Sequence, residues 1–156
     1  MNIFVLSRDP VKAAEMLCDT HVVAMGREAA QMLSTAAHMS GVEVGYKPTH
    51  HNHPCTVWAR RSKANFEWLL AHGFAICMEY TRRYLRVHGA KTALIAVRDC
   101  AWLIRFKEIE LTPFAQAMPD QYKHSNAVTA YRAFYKGEKA RIAKWQNGRN
   151  PPAWWP

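Results

Sequence analysis

One run constrains the fold more than any other. After Ser62 the chain reads KANFEWLLAHGFAICMEYTRRYLRVHG, and Phe66, Leu69, Leu70, Phe74, Cys77 and Met78 recur at helical spacing. Ser62 can cap the start of this helix and Gly89 can end it. A helix of that length must bury its apolar stripe against other elements, so the remaining segments have to supply them. The run CDTHVVAMGREAAQMLSTAAHMSG offers a second long helix, capped by Asp19 and stopped near Gly41, with Gly26 inside it marking a close approach. Asp9 followed by Pro10 starts a short helix over VKAAEML, and Pro54 opens another over PCTVWARR. KTALIAVRDCAWLIRF predicts a further helix, and Ser125 can cap a last one over NAVTAYRAFYKGEKARIAKW. NIFVL is a short extended anchor, and residues 41–53 and KEIELTPFAQAMPDQYKH are loops. The expected fold is all-α: one domain over residues 1–156, a bundle of five or six helices, with 146–156 an irregular tail rich in Trp and Pro.

The chain is basic. Its 21 Lys and Arg against 12 Asp and Glu give a formal charge of +9 over 156 residues. Residues 57–91 hold seven basic and two acidic side chains, and residues 125–156 hold six and one, while 92–124 are balanced at four each. Two basic regions suit a groove with two cationic walls and a polyanionic partner. Apolar content of 49% excludes a disordered chain. Cys18, Cys55, Cys77 and Cys100 form no Cys-x-x-Cys pair, and the first residues lack the apolar run of a signal peptide. Free, mostly buried thiols and a cytoplasmic location are therefore expected, without membrane association.

Three polar clusters could carry chemistry. THHNHPC brings His50, His51, His53 and Cys55 together, which could hold a metal, but no second ligand pair accompanies it. The alternative is a polar loop whose histidines bond backbone or phosphate. Arg60 and Arg61 follow this loop. Glu79, Arg82 and Arg83 lie near the end of the long helix, with Glu79 and Arg83 spaced as an ion pair on a solvated face. Asn65, Trp68 and His72 form a stripe that faces that cluster or caps the core. In the C-terminal region Lys136, Lys139, Arg141 and Lys144 interleave with Tyr131, Phe134, Tyr135 and Trp145, and Trp154 and Trp155 follow. Such cations neutralise phosphates, and such rings stack on bases or fill an opened step. The competing reading is an amphipathic helix with its rings inward.

The stretch DTHVVAMGREAAQ is the most specific. His21 and Glu28 are seven residues apart, which puts them on one helical face within about 20°. Apolar neighbours surround them, and Arg27 stands beside the acid. The two could simply hydrogen-bond each other. A carboxylate beside an arginine in an apolar pocket also suits acid–base or electrostatic work.

This stretch resembles the helix of the phage pyrimidine-dimer DNA glycosylases of the endonuclease V type, with Asp19, His21, Arg27 and Glu28 at matching positions. The chain is also similar to small tailed-phage proteins that carry HVV, LSTA, NHPC and AMPD stretches. The first resemblance implies a monomeric all-α enzyme that binds duplex DNA and flips out a nucleotide. It excises a damaged or modified pyrimidine without a cofactor, with strand cleavage as a possible second activity. It implies Glu28 as catalytic acid, the α-amine of the first residue as nucleophile at C1′, His21 as an orienting or base-side residue, and Arg27 as a phosphate or pocket contact. The DNA contacts it suggests are Arg27, Arg60, Arg61, Arg82, Arg83, Lys136, Lys139, Arg141, Lys144 and Trp145. The family begins with a small threonine exposed by methionine removal. Here Asn2 is too large for efficient removal, so Met1 is expected to stay and present its own amine. The alternatives are a phage nucleic-acid-binding protein without catalysis, a metal-dependent nuclease built on the His50–Cys55 cluster, and a protein-binding role for the Trp tail.

Overall fold

A computed structural model describes all 156 residues. Six α-helices form: α1 (Pro10–Glu15), α2 (Asp19–His38), α3 (Pro54–Arg61), α4 (Lys63–Tyr84), α5 (Lys91–Cys100) and α6 (Ala127–Glu138). Short 3₁₀ turns cover Ala101–Leu103 and Asp120–Tyr122, and there is no sheet. The all-α expectation holds. No helix is long and apolar enough to cross a membrane.

The long helices α2 and α4 form the central pair, with α1 on α4, α3 against both, and α5 against both. Gly73 permits the approach: a Cβ there would meet Leu94 of α5 at 3.1 Å and Ala29 of α2 at 3.3 Å. Asn65, Trp68 and His72 belong to this core rather than to a polar face. Asn65 ties three segments, donating to the Trp58 carbonyl and the Thr112 hydroxyl at 2.8 Å each and accepting from the Thr112 amide at 2.9 Å. The free amides at the start of α4 are met by the Ser62 hydroxyl on Asn65 and by the Glu108 and Ile109 carbonyls on Lys63 and Ala64.

Several boundaries differ from the sequence reading, each for a local reason. Asp19 is the first helical residue of α2, and Cys18 is its N-cap. The Asp19 carboxylate is engaged elsewhere, by Arg83 and by the tail. Helix α4 stops at Tyr84, before Gly89, because Leu85 adopts a left-handed conformation with φ 53°. Helix α5 ends at Cys100 and tightens into the 3₁₀ turn instead of reaching Phe106. Asn126, not Ser125, caps α6, its side chain accepting from Val128 and Thr129, and the helix ends at Glu138.

Beneath the tail lies a buried ionic network. The Arg83 side chain is fully buried and reaches Asp19 and Glu79, at 3.0 Å each, and the carbonyls of Leu17 and Glu15. Arg149 from the tail joins Glu79 and Glu15. Burial pushes the Glu79 carboxyl up, but Arg149 and Arg83 overcome this and hold it below its usual value. The second Asp19 oxygen accepts from the Gln146 amide at 2.8 Å and from Asn147 at 3.1 Å. The Glu79–Arg83 pair is therefore a core feature and not a solvated helical face.

Candidate active site

The N-terminal segment runs along α2. Phe4 sits at one end of this track, with its ring stacked on His21 at 4.4 Å and packed against Tyr131, Phe134 and Tyr135. Its φ of 36° lies in the left-handed region, a strain of about 1–3 kcal/mol that the surrounding aromatic cage offsets. Leu6 donates to the Phe4 carbonyl at 2.7 Å, closing a tight turn. From Phe4 the chain leads back to Met1. Three residue steps span at most about 10 Å, about the length of seven residues of helix. The segment that meets His21 through Phe4 therefore meets Glu28 at Met1 and Asn2.

At that far end the Met1 ammonium lies 3.6 Å from Glu28 Oε2, and the Asn2 amide donates to the same oxygen at 2.9 Å. Glu28 is partly exposed, whereas the Met1 side chain is buried and receives the Thr56 hydroxyl at its sulfur at 3.6 Å. Asn2 locks the turn: its Oδ1 accepts from Ile3 and its Nδ2 donates to the Ala117 carbonyl, both at 2.8 Å. His53 is the remaining polar neighbour. Burial, then the N-terminal ammonium and His50, push its imidazole below the usual value, against the opposing pull of Glu28 and the Met1 backbone.

His21 and Glu28 do not bond each other. His21 Nδ1 pairs with the Tyr135 hydroxyl at 2.7 Å, and that hydroxyl also accepts from the Cys18 amide at 3.0 Å. Burial, with help from the charge on Lys139, lowers the His21 pKa to about 4, so the ring is neutral near pH 7.

Arg27 is exposed and opens onto a cavity of about 360 Å³ lined by Val23, Ala24, Tyr46, Tyr80 and His88. Arg82, Lys136, Arg141 and Lys144 are exposed, and Lys139 is half-buried over the Phe134 ring at 4.9 Å. Arg60 donates to the His51 carbonyl, and Arg61 pairs with Glu108 at 2.9 Å on the surface. Two candidates for DNA contact are not available. Arg83 is consumed inside the ionic network. Trp145 is buried, donates to the Met16 carbonyl at 3.2 Å and packs on Trp155.

The metal reading of the histidine loop also fails on geometry. No three His, Cys, Asp or Glu side chains converge as metal ligands. His53 Nδ1 accepts from the Cys55 amide as the cap of α3, and His50 bonds Thr49. Cys55 is buried at the start of α3, and burial pushes its thiol up to about 12.

Sequence reasoning did not bring Asn2, Thr56 and the Ala117 carbonyl to the site. Asn2 and Ala117 are 115 positions apart, and neither carries a motif. For His53 the sequence left two readings, a metal ligand or a loop histidine bonded to backbone, and its bond to the Cys55 amide is the second.

The family model for pyrimidine dimer DNA glycosylases matches residues 1–92. The match covers more than half of the chain, and the protein belongs to this family. No curated protein and no solved structure matches it. The matched region contains α1 to α4 and both partners of the Met1–Glu28 contact, while α6 and the tail lie beyond it.

Proposed function

We propose that the protein excises damaged or modified pyrimidines from duplex DNA, as a monomer and without a cofactor, with Met1 and Glu28 as its catalytic residues. The carrying observation is the 3.6 Å separation between the Met1 amine and Glu28. A neutral amine is needed for attack, and a carboxylate at this distance can take its proton. The amine nitrogen bonds to C1′ of the flipped nucleotide as the bond from C1′ to the base breaks and the base leaves with a proton. Glu28 stabilises the positive charge that develops on the sugar. Ring opening then gives an imine, from which elimination of the 3′ phosphate cleaves the strand and water releases the amine.

His21 acts in this reading as a positioning residue. It holds Phe4, and Phe4 sets the track that ends at Met1. Arg27 contacts a phosphate or the extruded nucleotide at the mouth of its cavity. Its exposed guanidinium, with Lys136, Arg141 and Lys144, forms the cationic surface for the duplex.

The test uses oligonucleotides carrying different pyrimidine lesions, with and without borohydride. Excision, with a trapped adduct that mass mapping assigns to residue 1, is the expected result. Glu28→Gln should bind the duplex as before and lose excision. Unchanged excision in that variant refutes the role of Glu28, and excision without any trapped adduct refutes the amine as nucleophile.

A further inference from the structure

We propose that the groove between α4 and α5 docks an acidic peptide segment of a partner protein, one that carries apolar side chains between its carboxylates. This inference does not depend on the catalytic reading. Residues 74, 77, 78, 81 and 82 of α4 form one helical stripe, and residues 91, 95 and 98 of α5 face it. Together they enclose about 550 Å³, more than the cavity beside Arg27. Phe74, Cys77, Met78 and Ile95 give an apolar floor and wall, and Arg82, Lys91 and Arg98 ring it with positive charge.

The stripe has the spacing of a core-facing surface, yet Met78 is 72% exposed. No acidic side chain lines the groove. Arg82 and Lys91 have no carboxylate partner, and Arg98 pairs only with its neighbour Asp99 on the open surface. Arg98 also lies over the Phe74 ring at 5.8 Å, so its charge sits at the edge of the apolar floor. The rim is therefore cationic, with Arg82 and Lys91 unpaired, and Met78 stands uncovered above the buried Cys77.

The geometry favours a peptide over nucleic acid. A phosphate backbone would satisfy the three cations but would leave Met78 and Ile95 wet or desolvate its own charges against them. Carboxylates on either side of an apolar side chain satisfy both parts at once. Lys91 and Arg98 are seven helical residues apart, about 10 Å. That spacing matches two acidic positions two turns apart on a docked helix, with apolar anchors between them.

Fluorescence anisotropy with a labelled peptide alternating glutamate and leucine tests this on the full chain. The comparators are an all-glutamate peptide, a lysine–leucine peptide and a labelled duplex. The glutamate–leucine peptide should bind, and the other two peptides should bind at least about tenfold more weakly. Met78→Asp, at an exposed position, and the double variant Lys91→Glu with Arg98→Glu should each weaken the peptide about tenfold or more. Met78→Asp should leave duplex affinity unchanged. Equal binding of the all-glutamate peptide overturns the proposal in favour of general polyanion attraction. Peptide binding indifferent to both variants, or duplex affinity falling in parallel in Met78→Asp, also overturns it.

Discussion

Acid should destabilise this protein through two buried imidazoles before it protonates most carboxylates. His21 and His72 each have a pKa lowered by burial from 6.5 to about 4; for His21 the charge on Lys139 adds to this, and for His72 backbone hydrogen bonds oppose it. A depressed histidine pKa means that the unfolded chain takes up a proton that the native state refuses. Above about pH 6.5 both states are neutral at these rings and nothing changes. As pH falls toward 4 the unfolded state gains the protons first, and stability declines. Each ring accounts for about 3 kcal/mol over the full interval, so the pair removes about 6 kcal/mol, a large part of the 5–15 kcal/mol typical of a domain. In the middle of the window the slope is about 3 kcal/mol per pH unit, two protons' worth. Below this window Glu79 adds its own loss, because its folded pKa lies below the unfolded one. Urea unfolding followed by far-ultraviolet circular dichroism at steps from about pH 7 to 4.5 measures the slope. His72→Gln keeps an N–H for the Pro10 carbonyl, which now pairs with His72 Nδ1 at 2.9 Å. The variant should lose about half of the slope. A wild-type slope of one proton or less, or an unchanged slope in the variant, refutes the assignment.

Two further outcomes separate the cations that hold the fold from those proposed to meet DNA. Arg83→Ala leaves Asp19 and Glu79 facing a buried vacancy and should cost about 3–5 kcal/mol in urea unfolding. Its duplex binding, measured below the unfolding transition, should keep the wild-type salt dependence. Arg27→Ala should do the reverse: stability stays within about 0.5 kcal/mol because the side chain is exposed. The slope of log affinity against log salt should then fall by about one. An Arg27→Ala slope equal to wild type would remove Arg27 from the DNA surface.

The helices were legible because their signals are local. Asp9 with Pro10, Pro54 and Ser62 each mark the start of the helix that follows, and the periods of α2 and α4 are long enough to admit no other reading. The errors cluster where a distant partner competes for a local signal. Asp19 looks like a cap, but its oxygens are taken by Arg83 and by the tail backbone. Arg83 looks like one more surface cation, because nothing in its own helix shows that Asp19 will lie beside it. Trp145 follows a run of lysines and reads as a base-stacking ring, whereas the Met16 carbonyl and Trp155 draw it inward. Charge pattern identifies how many cations a surface could present, and only the fold decides which are spent inside.

The seven-residue interval between His21 and Glu28 acquires a physical meaning from the N-terminal segment. The two side chains serve opposite ends of one track: His21 takes the ring of Phe4, and Glu28 takes the first two residues. A one-residue shift of either would turn it about 100° away from that track. The track is held from outside the matched region as well. Ala117 receives the Asn2 side chain, Tyr131, Phe134 and Tyr135 cage Phe4, and Arg132 donates to the Leu6 carbonyl at 3.0 Å. The family match ends at residue 92, yet the placement of residue 1 depends on residues 117–135. The last third of the chain therefore contacts the N-terminal segment through residues that carry no motif of their own. It packs the first four residues onto α2, with the Met1 nitrogen 3.6 Å from Glu28 Oε2.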